Sequence, residues 1–435
     1  MKPVSLRRRL LDYLRSRLGE DQLPLRLRFW DGEHFDFAPN PSVIITIKSP
    51  ALPRLLLRGK FGRLADAYVK GDLLVDGPIE EVLRIGIALA ERIGKSTLVN
   101  RLAQISRIVP PRHSRRRDAA DIGYHYDVSN EFYRLWLDRQ MIYSCAYFRT
   151  GTEDIDTAQQ QKLDHICRKL MLQPGERLLD IGCGWGGLLR WAAQHYGVTG
   201  MGITLSERQY AYARDQLAKD GLGDRLEVRL QDYRDLSGSE VFDKIVSVGM
   251  YEHVGLRNLP LYFATVHKLL RPGGAFLNHG IYATDPQGRA QGPPGGEFID
   301  RYVFPGGAVP HVSRVLAEIA GAGLEFADAE DLRPHYARTL LRWVRRLEAH
   351  REEAIRAAGD ARYRIWIVYL AGMAHAFDRG WLSVAQVLSF KPNAGGAARR
   401  PLTRDYQYVT GAAPRYAEML DWSGTGCARE TKELI

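Results

Sequence analysis

The strongest constraint on the fold is a glycine-rich turn that follows a short apolar run. Residues 177–181 predict a buried β-strand, residues 182–187 are glycine at four of six positions, and residues 188–196 have helical periodicity. Glycine supplies positive φ and lets the backbone approach a bound ligand. A strand that passes through such a turn into a helix predicts a parallel α/β sheet, with a ligand at the carboxyl end of the strand.

The chain around this turn alternates between strand and helix patterns, which indicates a doubly wound sheet. Strands are predicted at 198–203, 226–230, 244–248 and 275–278, and helices at 157–170, 206–220, 259–270, 339–358 and 362–377. The predicted fold class is therefore α/β, with a Rossmann-like domain whose ligand lies where the strand order reverses. The last two helices are expected to cap that end of the sheet.

The residues at the strand ends indicate which ligand the turn binds. Asp180, at the end of the first strand, would repel a pyrophosphate but can contact the amino group of a cationic ligand. The end of the next strand, Gly202–Ser206, lacks the Asp or Glu that normally holds an NAD ribose. Asp232, after the third strand, is placed to meet an adenine amino group. These features favour S-adenosylmethionine over a dinucleotide.

A chain of 435 residues is long enough for two domains. Residues 1–110 predict a smaller mixed α+β domain, with helical patterns at 5–18, 64–69 and 79–92 and a strand hairpin within 31–47. A Pro- and Arg-rich linker is expected at 111–120, the catalytic domain at 121–392 and a C-terminal extension at 393–435. Four cysteines (Cys145, Cys167, Cys183 and Cys427) show no metal or disulfide spacing, so we expect no metal and a reducing cytoplasm.

The basic excess of the chain is confined to its N-terminal part. Residues 1–120 contain 23 Lys and Arg against 13 Asp and Glu, whereas the remainder contains 38 of each. The helix predicted at 5–18 combines an apolar stripe with five arginines, a composition typical of an interfacial helix. We therefore expect peripheral contact with an anionic inner-membrane surface. Packing of this helix on its own domain and a homodimer contact remain alternatives, and no recognised motif supports nucleic-acid binding.

Seven segments, all in order between about residues 120 and 392, together resemble the cyclopropane-fatty-acid synthase and mycolic-acid cyclopropane synthase family. They are HYDVSN at 125–130, YSCAYF at 143–148, LDIGCGWGG at 179–187, GITLS at 202–206, VSVGMYEHVG at 246–255, FIDRYVFPGG at 298–307 and YARTL at 336–340. The resemblance implies a methyltransferase that uses S-adenosylmethionine. One segment departs from the family pattern: the family has L-L-H-T-I where this chain has LNHGI at 277–281.

The resemblance also implies which residues form the site. With Asp180 from the argument above, the cofactor contacts would be Tyr143, Ser144, Asp180, Gly182, Gly184, Thr204, Gln209, Asp232 and Tyr233. The catalytic residues would be Cys145, Glu252, His279 and Tyr336, which in this family hold a bicarbonate ion, here together with Ile281. Each also has a simpler interpretation: Cys145, His279 and Tyr336 as packed core side chains, and Glu252 as a helix cap.

The implied reaction adds a methylene unit to the cis double bond of an unsaturated phospholipid acyl chain. Methyl transfer to the alkene leaves a carbocation, and loss of a proton from the new methyl group closes a cyclopropane ring, with bicarbonate as the base. Three alternatives stay open. A related lipid methyltransferase would leave a methyl or methylene branch, a small-molecule methyltransferase would need no lipid, and a nucleic-acid-binding protein would use the basic N-terminal part.

Overall fold

The computed structural model describes residues 6–18, 23–58, 61–93, 129–286, 296–303, 309–393, 395–396 and 400–409. The predicted linker at 111–120, the first of the seven segments as far as residue 128, and residues 410–435 lie outside the described residues. The described residues form two separate sheets, one of four strands and one of seven. No helix among the described residues is long and apolar enough to cross a bilayer.

The N-terminal sheet has the strand order β2-β1-β3-β4. Its elements are α1 (Leu6–Leu18), β1 (Leu25–Arg28), β2 (His34–Asp36), β3 (Val43–Ile47), α2 (Leu52–Leu57), α3 (Phe61–Lys70), β4 (Leu73–Asp76) and α4 (Ile79–Ile93). The predicted hairpin within 31–47 is wrong, because β2 and β3 both pair with β1 and not with each other. The apolar run before residue 31 supplies the central strand, which the turn signals alone do not reveal.

The apolar stripe of α1 is directed into its own domain. Leu10 and Leu14 are 0% and 2% exposed and belong to the core formed with β1 and β3. Arg7 forms ion pairs with Asp31 and Glu33 in the loop before β2. This packing agrees with the alternative in which α1 packs on its own domain, and it leaves Leu10 and Leu14 unavailable to a bilayer. Arg8 and Arg9 of α1 are exposed.

The seven-stranded sheet has the order β10-β11-β9-β8-β5-β6-β7. Its strands are β5 (Arg177–Ile181), β6 (Thr199–Thr204), β7 (Leu226–Leu230), β8 (Phe242–Val248), β9 (Leu270–Ala283), β10 (Glu325–Asp331) and β11 (Leu382–Phe390). The strands β9, β8, β5, β6 and β7 are parallel, whereas β11 is antiparallel to both β9 and β10. The order reverses between β5 and β8, so the glycine-rich turn after β5 lies where a ligand is expected.

Helices cover both faces of this sheet. They are α5 (Asn130–Arg134), α6 (Ile155–Lys169), α7 (Gly187–Tyr196), α8 (Glu207–Lys219), α9 (Leu259–Leu269), α10 (Gly296–Tyr302), α11 (Val312–Gly321), α12 (Arg333–Ala349), α13 (Arg351–Ala358) and α14 (Asp360–Asp378). The cores show that α6, α7 and α8 pack on one face, and α9 and α11 on the other. The predicted α/β doubly wound fold is confirmed.

The prediction of one helix over 339–358 is wrong, because the helix is interrupted at His350, between α12 and α13. The two helices and α14 pack together in an aromatic cluster above the carboxyl end of the sheet, as expected for capping helices. The N-terminal domain contacts this layer. The Asp66 carboxylate of α3 accepts hydrogen bonds from Arg301 and Tyr302 of α10, and Glu80 of α4 pairs with Arg345 of α12.

Candidate active site

The glycine-rich turn adopts backbone angles that only glycine tolerates without strain. Gly182, Gly184 and Gly186 have φ of 84°, 56° and 81°. A Cβ at residue 182 would lie 2.9 Å from the Met250 side chain, whereas one at 184 would meet nothing within 4 Å. The amides of Gly182 and Cys183 both donate to the Ile203 carbonyl, at 2.9 Å each. The turn is thus fastened to β6 and leaves open space above residue 184.

That space is one cavity, and all nine predicted cofactor contacts line it. These are Tyr143, Ser144, Asp180, Gly182, Gly184, Thr204, Gln209, Asp232 and Tyr233. They come from four stretches of chain that are far apart in sequence, namely 143–144, 180–184, 204–209 and 232–233. The structure therefore brings these residues together, and their individual contacts to a ligand remain predictions.

Two acidic side chains lie at different parts of the cavity wall. Asp180 is 2% exposed, and its burial raises the pKa of the carboxyl to about 7. Asp232 caps the short helical turn that follows β7 and forms a bidentate ion pair with Arg234, at 2.8 and 2.6 Å. On the wall between them, the Thr204 hydroxyl donates to Oε1 of Gln209 at 2.8 Å.

The sequence argument missed Lys162, a buried lysine of α6 that also lines the cavity. Its Nζ donates to Oγ of Ser144 at 2.9 Å, and it attracts the carboxylates of Asp138 and Asp180. Burial lowers the pKa of this ammonium group to about 8, although both carboxylates oppose that shift. A signal was present in the sequence, because Lys162 precedes Leu163 and lies four residues before Ile166 on the apolar side of the helix.

The five residues predicted to surround bicarbonate do not line this cavity themselves, but Ser144 beside Cys145, and Met250 and His253 on either side of Glu252, do. Sγ of Cys145 lies 3.8 Å from the carbonyl oxygen of Leu332, which also accepts the amide hydrogen of Tyr336 at 3.0 Å. The Leu332 amide donates to the carbonyl of Val384, the residue paired with Ile281 in the sheet. Cys145 and Tyr336 are therefore neighbours of β9 and β11.

Glu252 and His279 approach Ile281 from two sides. Oε1 of Glu252 accepts the Ile281 amide hydrogen at 2.7 Å. His279 lies two residues before Ile281 on β9 and so points to the same face of the sheet. Its Nδ1 is 3.2 Å from Nε2 of Gln386. The structure thus groups all five predicted residues around one end of β9, and their catalytic roles remain predictions.

Burial favours the uncharged form of three of these side chains, those of Glu252, Cys145 and His279. Burial raises the pKa of Glu252 to about 7 and raises that of the Cys145 thiol well above its ordinary value. Burial also lowers the pKa of His279 well below its ordinary value, so its ring carries no charge. Among the described residues, Oε2 of Glu252 is closed off from solvent and has no hydrogen-bond partner. An unpaired buried carboxyl oxygen points to a polar ligand.

The departure from the family pattern at Gly280 has a steric explanation. The Tyr251 ring lies directly against the backbone at this position, and a Cβ at residue 280 would be 1.7 Å from its Cε1. The Tyr251 hydroxyl donates to the Ile281 carbonyl, and the neighbouring Glu252 carboxylate accepts the amide hydrogen of the same residue. Gly280 therefore leaves space for the ring of Tyr251, the residue that precedes Glu252.

The donor set fits S-adenosylmethionine. Glycine at 182 and 184 leaves the cradle that a Cβ would narrow, and the buried Asp180 can receive a ligand amino group where a pyrophosphate would be repelled. The neutral set of Glu252, Cys145 and His279 fits one small oxyanion, since a protonated Oε2 can donate a hydrogen bond to it.

Comparison with known proteins agrees with this geometry. A sequence model of the family described as mycolic acid cyclopropane synthetase matches residues 113–387. The chain belongs to this family. A domain of unknown function matches residues 18–96. The suspected family is thereby confirmed, and with it a methyltransferase that uses S-adenosylmethionine.

Relatives in the family carry two kinds of name. A probable fatty acid methyltransferase from Pseudomonas putida is 46% identical over 401 residues, which are 92% of this chain and 100% of the relative. The cyclopropane-fatty-acyl-phospholipid synthase of Escherichia coli is 35% identical over 79% of this chain and 87% of its own length. The solved cyclopropane synthase MmaA2 from Mycobacterium tuberculosis superposes with a TM-score of 0.60 and 35% identity, over 65% of this chain and 100% of that structure.

A second structure bears on the cavity. The mycolic acid cyclopropane synthase CmaA1 complexed with S-adenosylhomocysteine and CTAB has a TM-score of 0.60 and 33% identity to this chain, covering 65% of this chain and 99% of that one. The family therefore shares both the sheet and the use of the cofactor. Of the relatives named above, three carry the name of a cyclopropane synthase and one that of a probable fatty acid methyltransferase.

Proposed function

We propose that the protein transfers a one-carbon unit from S-adenosylmethionine to the cis double bond of an unsaturated acyl chain in a phospholipid, and then closes a cyclopropane ring. The observation that carries this proposal is the buried, unpaired Oε2 of Glu252 beside the cofactor cavity. A simple methyl transfer to a heteroatom with its own acidic proton needs no such group. Ring closure does, because a proton must leave the transferred methyl group after the carbon–carbon bond has formed.

S-adenosylmethionine, when bound, supplies an electrophilic methyl group to the cavity. The chain's own residues then have two tasks: to exclude water and to lower the energy of a cation on the acyl chain. Tyr143 and Trp185 line the cavity and belong to a packed aromatic cluster with Tyr133. An aromatic face near a cation contributes about 0.5–2 kcal/mol. The Tyr369 hydroxyl is hydrogen-bonded to Tyr143 and lies close enough to Glu252 to interact with its charge.

Glu252 is suited to hold or accept a proton near pH 7. Burial brings the pKa of its carboxyl to about 7, and the hydrogen bond from the Ile281 amide occupies Oε1, so Oε2 is the oxygen that can take up a proton or contact a ligand. We further propose that Glu252, Cys145, His279, Tyr336 and the backbone of Ile281 hold a bicarbonate ion. That ion would supply a compact base at a place where a side-chain carboxylate touching the cation could itself be alkylated.

A second candidate function is formation of a methyl- or methylene-branched acyl chain. It is favoured by the relative from Pseudomonas putida, whose name is that of a probable fatty acid methyltransferase. Both functions begin with the same carbon–carbon bond. In ring closure the transferred methyl group loses a proton directly, whereas a methylene branch forms when a hydride first shifts from the methylated carbon to the cationic carbon and the methyl group then loses a proton. An internally unsaturated methyl branch forms when a neighbouring chain carbon loses the proton, and a saturated methyl branch needs a hydride donor in addition.

The test uses purified protein, S-adenosylmethionine with a deuterated methyl group, and vesicles of phosphatidylglycerol with oleoyl chains. Ring closure predicts a product that retains two deuterons, shows upfield ring-methylene signals in deuterium NMR and resists mild hydrogenation. A methylene branch also retains two deuterons, but mild hydrogenation reduces its double bond. An internally unsaturated methyl branch retains three deuterons. An unmodified lipid together with turnover of a water-soluble acceptor would overturn both candidates.

Two variants localise the chemistry. Glu252→Gln keeps an oxygen for the Ile281 amide but cannot take up a proton, so we expect product formation to fall by about a hundredfold or more. Glu353→Gln, an exposed glutamate of α13, makes the same chemical change away from the cavity and serves as the matched control. Equal activity of the two variants would remove Glu252 from the reaction.

We also propose that the enzyme reaches its lipid through peripheral, electrostatic contact with an anionic membrane surface. The support is the excess of basic residues within 1–120 and the exposed Arg8 and Arg9 of α1. Each basic side chain near an anionic surface contributes about 1 kcal/mol, screened by salt. Replacing both arginines by glutamate should weaken sedimentation with phosphatidylglycerol vesicles at low salt. Binding that is insensitive to both salt and charge reversal would refute this contact.

A further inference from the structure

Residues 400–409, here called the C-terminal strap, pack against α6 and β10 on the side of the sheet that carries the active site. Gln407 is 1% exposed and Tyr406 is 8% exposed, although both lie in a segment without regular strands or long helices. The strap is far from these partners in sequence, since Gln407 and His165 of α6 are 242 residues apart. Burial of this kind needs a specific set of partners.

His165 is the centre of that set. The buried ring has Nδ1 at 3.2 Å from the Gln407 carbonyl oxygen and Nε2 at 2.7 Å from Oε2 of Glu330 on β10. Each ring nitrogen of His165 therefore faces an oxygen atom that accepts hydrogen bonds. Nζ of Lys169 lies 2.5 Å from the same Glu330 oxygen. Burial raises the pKa of the Glu330 carboxyl, but the hydrogen bond with His165 and the charge of Lys169 together hold it at about 2.

Further ionic contacts fasten the strap to β10. Arg404 of the strap pairs with Asp328 at 3.0 Å, and Arg400 pairs with Glu325 at 2.8 Å. The Nε2 atom of Gln407 lies 3.5 Å from the Asp328 carboxylate. Acidic side chains of the edge strand β10 thus face basic or amide groups of the strap along its length, which protects an exposed strand edge.

The same histidine contacts the active-site segment 143–148. The His165 ring stacks on Tyr147 at a centroid distance of 4.3 Å, and Tyr147 stacks on His335 of α12 at 4.6 Å. Nδ1 of His335 accepts the Phe148 amide hydrogen at 3.0 Å. Tyr147 therefore lies between two imidazole rings, and it follows Cys145 by only two residues. An element that orders His165 also orders this segment.

We propose that the C-terminal strap positions the active-site segment 143–148 through His165, which acts as a positioning residue without touching substrate or cofactor. The strap holds the His165 ring at the angle at which it stacks on Tyr147. This stacking fixes the segment that contributes Tyr143 and Ser144 to the cofactor cavity and Cys145 to the candidate base site. Loss of the strap should loosen that segment while the parallel sheet remains intact.

The test compares two truncations of the full chain, one ending after Val409 and one ending after Asn393. The first retains the strap and removes only residues 410–435, including Cys427, so it is the matched control for the second. Hydrogen exchange is then measured at the amides of residues 146–148, which donate to Thr339, Ala158 and His335. We expect exchange at these three amides to be about tenfold faster without the strap. Amides of β5 and β8 should be unchanged.

A point variant tests the contact between the strap and His165 without removing any residues. His165→Phe keeps a ring that can stack on Tyr147 but lacks the two ring nitrogens that contact Gln407 and Glu330. It should therefore reproduce the faster exchange at residues 146–148 in a full-length chain. In both altered proteins, affinity for S-adenosylhomocysteine should fall by about tenfold because Tyr143 and Ser144 are less ordered. Turnover at saturating cofactor should fall as well, because Cys145, one of the residues predicted to surround bicarbonate, is displaced.

Three outcomes would overturn the proposal. The first is unchanged exchange at residues 146–148 when the strap is absent. The second is exchange that rises equally in β5 and β8, which would mean a general loss of stability. The third is His165→Phe behaving like the chain that ends after Val409. The exchange and binding measurements need no lipid, so they decide this proposal even if the proposed lipid product is wrong.

Discussion

Replacing Gly280 by alanine should displace the Tyr251 ring and reduce stability markedly. The added Cβ would lie 1.7 and 2.3 Å from two carbons of that ring, which is 2% exposed and cannot swing into solvent. Overpacking of a core costs about 1–3 kcal/mol, and losing the hydrogen bond from Tyr251 to the Ile281 carbonyl adds about 1 kcal/mol. We therefore expect the free energy of unfolding to fall by about 2–4 kcal/mol.

A double-mutant cycle tests the proposed cause. Tyr251→Ala alone should cost about 3–5 kcal/mol because it leaves a cavity. Adding Gly280→Ala to that variant should cost almost nothing, since the ring that the methyl group would meet is gone. The coupling energy between the two changes should thus be about 2–4 kcal/mol. Denaturant unfolding followed by circular dichroism measures all four proteins.

The matched control is Gly372→Ala in the middle of α14, where a Cβ meets nothing within 4 Å. Alanine there should be neutral or stabilising by about 1 kcal/mol, because glycine is a poor helix former. If Gly280→Ala unfolds within about 0.5 kcal/mol of the unaltered protein, or if the two site variants add without coupling, the steric account of the LNHGI segment is wrong.

Three further predictions concern charge. The pKa of Asp180 is raised to about 7, and its carboxylate is expected to face a ligand amino group. Affinity for S-adenosylhomocysteine, measured by calorimetry, should therefore fall as the pH drops from 8 to 6. Asp180→Asn should bind weakly without this pH dependence, and Lys162→Met should move the midpoint to higher pH because the lysine lowers the pKa of Asp180. Asp232→Asn should weaken the same affinity by about tenfold or more, the cost of a charged hydrogen bond, and unchanged affinity would remove Asp232 from the site. In urea titrations the unliganded protein should lose stability as the pH rises from 5 to 7. The unfolded chain releases the protons of Asp180 and Glu252 near pH 4, whereas the folded protein retains them until about pH 7. A gain in stability over that interval would contradict both pKa shifts.

The sequence was sufficient where one local pattern decides the structure. The strands β5 and β8 are buried apolar runs with glycine or helix signals after them, so their positions and the cavity between them could be predicted. Asp180, Asp232 and the glycines of the turn followed from the same logic, whereas Tyr143, Ser144, Thr204, Gln209 and Tyr233 were implied by the family resemblance. The rule that the carboxyl ends of parallel strands share one edge accounts for the residues at the strand ends. It does not account for Tyr143 and Ser144, which precede the sheet.

Long-range pairing was not accessible in this way. β10 has the sequence EFADAED, which is largely polar and lacks an obvious strand signal. It forms a strand because β11 supplies hydrogen bonds and because Lys169 and Arg404 neutralise its acids. Lys162 was missed for a related reason: a charged residue on an apolar helix face is explained only by partners that come from other parts of the chain.

The position of β11 also determines when the catalytic domain can be completed during synthesis. This strand lies between β9 and β10, and within the described part of the chain β10 has no other neighbour in the sheet. Until residues 382–390 have been made, one edge of β9 is unpaired and β10 has nothing to pair with. A growing chain therefore exposes an aggregation-prone edge from the completion of β9 at Ala283 until β11 begins at Leu382. Its folding should depend more on chaperones than that of a sheet whose strands pair in order of synthesis.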